Sequence, residues 1–196
     1  AQAAYLLQNV SYDLKAMGLL FSFRSHRSVS ERMSEAINGW EQLRKDKEVS
    51  GKAVKSIYSY MSSKDRIKRG FKKLGGLEED EMFSFDVLVK DYGLLATKDM
   101  IWHEAMDKIP GNDRLYITAL LRKGEKFNAV PRIKLSTIHG TKGGEAENVV
   151  LLTDLTYAAI QSSQVDDLHR VFYVGVTRTK DNLYLIDPED FSRAYD

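Results

Sequence analysis

The chain has 196 residues, a hydrophobic fraction of 43% and a net charge of +1, enough for one sizeable core or two small ones and unlike a disordered segment. No apolar run is long enough to span a bilayer, and the opening residues AQAAYLLQNV lack the basic start and cleavage pattern of a signal peptide, so a soluble cytoplasmic protein is expected. Cysteine is absent, four scattered histidines lack zinc spacing, and a near-neutral charge does not by itself announce a nucleic-acid binder.

Ala3, Leu7, Val10, Leu14 and Met17 recur at helical spacing and Gly18 supplies a stop, which predicts an amphipathic helix over residues 2–17 and a short strand over Leu19 to Phe23. A helix leading into a strand with no strand before it reads as part of something longer. Ser28 with Glu31 fits a capping box, and Val29, Met33, Ala36, Ile37, Trp40 and Leu43 continue one apolar face to about Lys45. Ser50 is expected to cap a helix bearing Val54, Ile57, Tyr58 and Met61. Thr97 is expected to cap one bearing Ile101, Ala105, Met106 and Ile109, ended by Pro110, and Asn112 to open another that Gly124 closes. Trp40 and Trp102 fall at core spacing, which favours burial over base stacking. Lys64, Arg66, Lys68, Arg69, Lys72 and Lys73 crowd one stretch just before Glu78, Glu79, Asp80 and Glu81. A solvated helix face followed by an acidic loop is the simpler reading, and contact with phosphates the other.

After Pro131 the pattern changes. Ile133 to Thr137, Val149 to Thr153 and Leu183 to Ile186 are aliphatic runs of strand length, and between the last two Leu168, Val171, Phe172 and Gly175 define the buried stripe of a helix. This order suggests an α/β layer, in which ligands bind where strand ends meet loops.

The turn from His139 to Glu145 lies at such an end. Gly140, Gly143 and Gly144 allow positive φ and close approach, Lys142 supplies a point charge, and Glu145 is an acceptor suited to sugar hydroxyls. Taken alone, a glycine-bearing loop with one lysine is more often only a turn. Arg178, in VTRTK, either rests its cation on a helix C-terminus or serves as an arginine finger toward a transferred phosphoryl group. The chain contains no GxxxxGK[ST] phosphate cradle, so a second half of the site is expected from elsewhere, and no metal ligands are expected here.

These residues carry a resemblance. The strand followed by Thr137, His139, Lys142, Gly143 and Glu145, and later Asp166, Asp167, His169, Arg170, Phe172, Tyr173, Val174, Thr177 and Arg178, resemble the C-terminal motor part of UvrD/Rep-like superfamily 1 DNA helicases in order and spacing. The likeness is specific over residues 131–187 and weaker over 1–22. Gly144, His169 and Thr179 depart from the pattern, and the histidine replaces a constant positive charge.

The resemblance implies an incomplete RecA-like, P-loop NTPase-type parallel-sheet domain: residues 1–24 and 127–196 form the second motor domain, and 25–126 a mainly α-helical, 2B-like insertion. It implies that Arg178 reaches the γ-phosphate of ATP, that Glu145 bonds the ribose, and that Gly143 lets the turn approach the nucleotide. Thr137 and His139 would face single-stranded DNA, with Lys142 either a bridging or a DNA-side cation. Arg170, Tyr173 and Thr177 would support the finger or simply pack the helix. The expected partners are single-stranded DNA, a duplex junction and an N-terminal motor domain that supplies the main phosphate and Mg2+ ligands, in a protein of prokaryotic or phage type. Arg24 reads as a structural or DNA-backbone arginine. Two other readings stand beside this one: a non-catalytic nucleic-acid or partner-binding module, and the helicase part of a helicase-nuclease.

Overall fold

A computed structural model describes residues 1–127, 129–161 and 165–195. In chain order these form α1 (Gln8–Ala16), β1 (Phe21–Phe23), β2 (His26–Arg27), α2 (Glu31–Leu43), β3 (Val49–Ser50), α3 (Gly51–Ser59), β4 (Met82–Phe83), α4 (Phe85–Asp91), α5 (Trp102–Ala105), α6 (Gly111–Arg122), β5 (Ile133–Leu135), β6 (Ala146–Leu152), α7 (Tyr157–Ile160), α8 (Val165–Val176) and β7 (Thr179–Ile186). The chain folds as two compact units, one of residues 1–28 with 131–196 and the other of residues 29–130.

In the first unit both pairings between distant segments are parallel. β5 aligns with β1, Ser22 opposite Lys134, and β6 aligns with β7, Val150 opposite Tyr184. They belong to separate sheets, β2-β1-β5 and β6-β7, so the α/β class expected from sequence holds while one continuous parallel sheet is not present among the described residues. The open edge of β5 is met at its end by Ala1, whose ammonium donates to Ser136 O at 3.5 Å and whose carbonyl accepts from Ile138 N–H at 2.9 Å. These two bonds bracket Thr137 as a parallel rung would. α8 packs on β6 and β7 through Phe172 and Gly175, with Ile138, Leu151 and Leu155 completing a small buried cluster. A Cβ on Gly175 would stand 3.2 Å from Leu151 Cδ1, so the helix approaches the sheet as closely as a glycine permits.

The second unit is built on α2 against α3. Trp40 is fully buried and its Nε1–H donates to Met100 O at 2.9 Å, which satisfies the one polar atom that its burial would strand. Trp102 is buried too. α3 can start where it does only because Gly51 has no side chain: a Cβ there would meet Glu78 O at 2.0 Å.

Several local expectations change. Ser30, not Ser28, caps α2, accepting from Met33 N–H at 3.2 Å, because Ser28 is held beside β1 by its N–H to Phe21 O at 2.8 Å. Ser50 does cap α3, through Ala53 N–H at 3.3 Å. The segment after Thr97 forms a single helical turn, α5, capped at Ile101, whose N–H is satisfied by the Glu104 carboxylate at 3.0 Å. α6 begins at Gly111, directly after Pro110, one residue before Asn112. The basic stretch is no helix face: it is turns and one 3-10 turn, Phe71–Lys73, because buried Ile67 ties its backbone back to Ser62 at 3.1 Å.

Candidate functional site

Ile138 organises the first motif. Its side chain is buried under α8 while its neighbours His139 and Gly140 stay exposed, so the loop is anchored at one residue and presented at the next. Thr137 Oγ1 accepts from Gly140 N–H at 3.2 Å, Thr141 Oγ1 donates to Ile138 O at 2.7 Å, and a 3-10 turn covers His139–Thr141. Only Gly143 of the three glycines has positive φ, +82°, with open space where a Cβ would be. Gly140 is required for another reason, since a Cβ there would lie 2.6 Å from Ser136 Oγ. Among the described residues the side chains of His139 and Lys142 make no hydrogen bond or ion pair, and both are exposed.

The second motif meets this loop through Arg178. Thr177 closes the last turn of α8, its Oγ1 donating to Tyr173 O at 2.9 Å and its N–H to the same carbonyl at 3.0 Å. Arg178 Nε then donates to Val174 O at 3.0 Å, Nη2 to Thr177 Oγ1 at 3.1 Å, and Nη1 crosses to Gly144 O at 3.2 Å. Its own carbonyl accepts from Ala146 N–H at 2.9 Å. A helix C-terminus is a favourable place for this cation, whose fork serves three carbonyl or hydroxyl oxygens at once. Glu145, the next residue of the loop, pairs with Lys180 at 3.1 Å, and both are more than half exposed.

The structure thus brings Gly143, Gly144, Glu145, Thr177 and Arg178 to one surface. Thr137, His139 and Lys142 lie on the same loop, nearer the end of β5. Arg170 stands apart. It pairs with Asp167 one turn earlier on α8 at 3.3 Å and has no hydrogen bond or ion pair with Arg178, and Tyr173 is 70% exposed and bonds the last turn through its carbonyl. Arg24 occupies a left-handed turn with φ +49°, its N–H on Leu135 O at 3.1 Å.

Three participants carried no sequence signal. Lys180 finds Glu145 only through the register that sets Ala146 opposite Thr179. Ser136 is packed under Gly140. Tyr195 stacks on Phe172 at 4.0 Å and takes a 2.6 Å hydrogen bond with His169 Nδ1, which gives the histidine a partner near the chain end.

Comparison with known families decides the wider question. The model of the UvrD-like helicase C-terminal domain matches residues 22–189, across both units and both motifs. The chain belongs to this family. No curated protein and no solved structure matches it. Membership in the UvrD-like family makes this a helicase-type, DNA-binding domain, and among the described residues no helix is long and apolar enough to cross a membrane.

Proposed function

We propose that this domain works as the second motor half of an ATP-dependent DNA helicase, which translocates on single-stranded DNA and unwinds duplex. The observation that supports it most is the Arg178 guanidinium on Gly144 O at 3.2 Å, since it joins the arginine after α8 to the glycine turn after β5 in one surface. Arg178 would act as the arginine finger, exchanging its Gly144 contact for the outermost phosphate when the site closes. Glu145, whose ion pair with Lys180 is exposed and therefore cheap to break, would accept from the ribose hydroxyls. Gly143 leaves room for the sugar to approach, and Thr177 holds the finger's Nη2 from behind. Tyr173 braces that turn through its carbonyl, and Arg170 pairs with Asp167 within α8.

The residues fit the sugar and outer-phosphate edge of ATP. They do not fit a metal site, because no three acidic or imidazole groups converge among the described residues, so ligands for Mg2+ would lie on another motor domain. Bound ATP supplies the phosphoryl bond that is cleaved. On the other side of the loop, Thr137, His139 and Lys142 would contact single-stranded DNA. One short loop touching both ligands is what would couple closure to movement along the strand.

A second reading has its own support: every Arg178 nitrogen already has an acceptor within the fold, as in a structural brace of a non-catalytic binding module. The two are separated by DNA-stimulated ATP hydrolysis of the full-length gene product. A finger predicts that Arg178→Lys, which keeps charge, and Arg178→Ala both lower kcat by roughly three orders of magnitude with ATP binding retained. Hydrolysis indifferent to both substitutions would leave the brace.

A further inference from the structure

Residues 187–195, which follow β7, return to the segment just after β6. Thr153 is buried, and its Oγ1 donates to Asp187 Oδ1 at 2.8 Å. Further along, Leu155 N–H donates to Arg193 O at 2.8 Å, Arg193 Nη2 to Leu155 O at 3.2 Å, and Tyr195 N–H to Thr153 O at 3.0 Å, so that Ala194 pairs antiparallel with Asp154. Between these ends Asp190 caps a 3-10 turn, Phe191–Arg193, by accepting from Ser192 N–H at 3.0 Å. Tyr195 is thereby fixed through its backbone to the end of β6, beside the Leu151 and Leu155 side chains that form the cluster under α8.

The Tyr195 side chain then meets α8 twice. Its ring stacks on Phe172 with centroids 4.0 Å apart and planes 6° apart, and its hydroxyl lies 2.6 Å from His169 Nδ1, one turn earlier on the helix. These contacts matter because little else fixes the rotation of α8. Among the described residues of α8 only Phe172 and Gly175 are buried, and Gly175 has no side chain to resist turning. Leu168, Val171 and Val174 are partly buried beside them. Arg178 stands just past the last turn. A side-chain group about 5–6 Å from a helix axis moves by roughly 2 Å when the helix turns by about 20°. Such a shift is more than the 3.2 Å bond from Arg178 Nη1 to Gly144 O can absorb.

We propose that Tyr195 is a positioning residue for Arg178: anchored at Thr153, it sets the rotation of α8 through Phe172 and His169 and thereby keeps the guanidinium at Gly144. The stack and the hydrogen bond hold side chains three residues apart, which are neighbours on one helix face, so together they fix tilt as well as rotation. Phe191, in the same returning segment, is 75% exposed. The placement of Arg178 follows whether that residue is a finger or a brace, and only its kinetic consequence rests on the finger reading.

The test is the NMR signal of the Arg178 Nε–H in this chain, assigned with Arg178→Lys and read well below the melting temperature. Nearly all molecules are folded there, so a loss of stability alone leaves the signal in place, whereas a displaced guanidinium moves it. Tyr195→Ala is expected to shift it toward the position of an exposed arginine. Tyr195→Leu keeps apolar cover on Phe172, should shift the signal the same way, and serves if the alanine variant does not fold. Tyr195→Phe keeps the stack and His169→Ala removes only the bond, so both are expected to shift it less and by similar amounts. Phe191→Ala should leave it unmoved. A signal that stays put in Tyr195→Leu and Tyr195→Ala, or that moves equally in Phe191→Ala, would overturn the proposal. In DNA-stimulated ATP hydrolysis by the full-length gene product, Tyr195→Leu is expected to lower kcat roughly tenfold with KM for ATP unchanged, since misplacing a group by about 1 Å can cost about a hundredfold. A moved signal with unchanged kcat would count against the finger and not against the positioning, so the two readings fail separately.

Discussion

Gly143 and Arg178 show how differently two residues of one surface can be constrained. Gly143 is held by backbone conformation, since φ of +82° is costly for any residue with a Cβ although nothing fills the space beside it. Gly143→Ala should therefore destabilise the first unit by about 1–2 kcal/mol in urea unfolding followed by circular dichroism, and Gly143→Asn by less. Tyr58 makes the contrasting case of a group held by its surroundings: burial, and secondarily Tyr92, push its phenol well above the usual value, and its OH donates to Tyr92 O at 3.1 Å. The fold prefers the protonated phenol, so its contribution is intact below about pH 10, where the unfolded chain begins to ionise, and is lost as pH rises beyond that. Alkaline unfolding of the second unit should start near that pH and become shallower in Tyr58→Phe, at a neutral-pH cost of about 1 kcal/mol for the lost hydrogen bond.

Elements depend on ends and contact faces more than on propensity. Ser30→Ala should cost about 1 kcal/mol because it strips α2 of its cap, whereas Ser28→Ala leaves that helix end untouched. Calorimetry of the two variants distinguishes the two serines. α8 depends instead on close approach. Gly175→Val adds methyl groups beyond a Cβ that already stands 3.2 Å from Leu151, and should cost about 1–3 kcal/mol while moving Arg178 off Gly144. Periodicity predicted the α8 stripe correctly, since Phe172 and Gly175 are buried with Leu168 and Val171 beside them. The helix-face reading of the basic stretch rested on its charges alone, and the stretch instead forms turns around the buried Ile67.

At the scale of the molecule, one chain supports two cores. Both tryptophans lie in the second unit, so their fluorescence reports that unit, while Gly175→Val and Gly143→Ala alter the first. Each is expected to shift the circular dichroism transition of the chain more than the tryptophan transition. Coincident shifts by both probes would mean that the units unfold as one. The family match across residues 22–189 runs through both units.

The sequence by itself determined the family, because that information is local: Thr137, His139, Lys142, Gly143, Glu145 and Arg178 stand at fixed spacings that a linear reading recovers. It also determined most helices and the strand-forming runs, which follow from apolar period and capping chemistry. Tertiary structure alone decided which charges meet. Glu145 finds Lys180 through strand register, Arg178 finds Gly144 through the packing of α8 on its sheet, and Glu79 turns to Lys55 instead of the basic run beside it. Charge pairing acts over a few ångströms in space and has no fixed period in sequence, so only the folded chain could decide which lysines are paired.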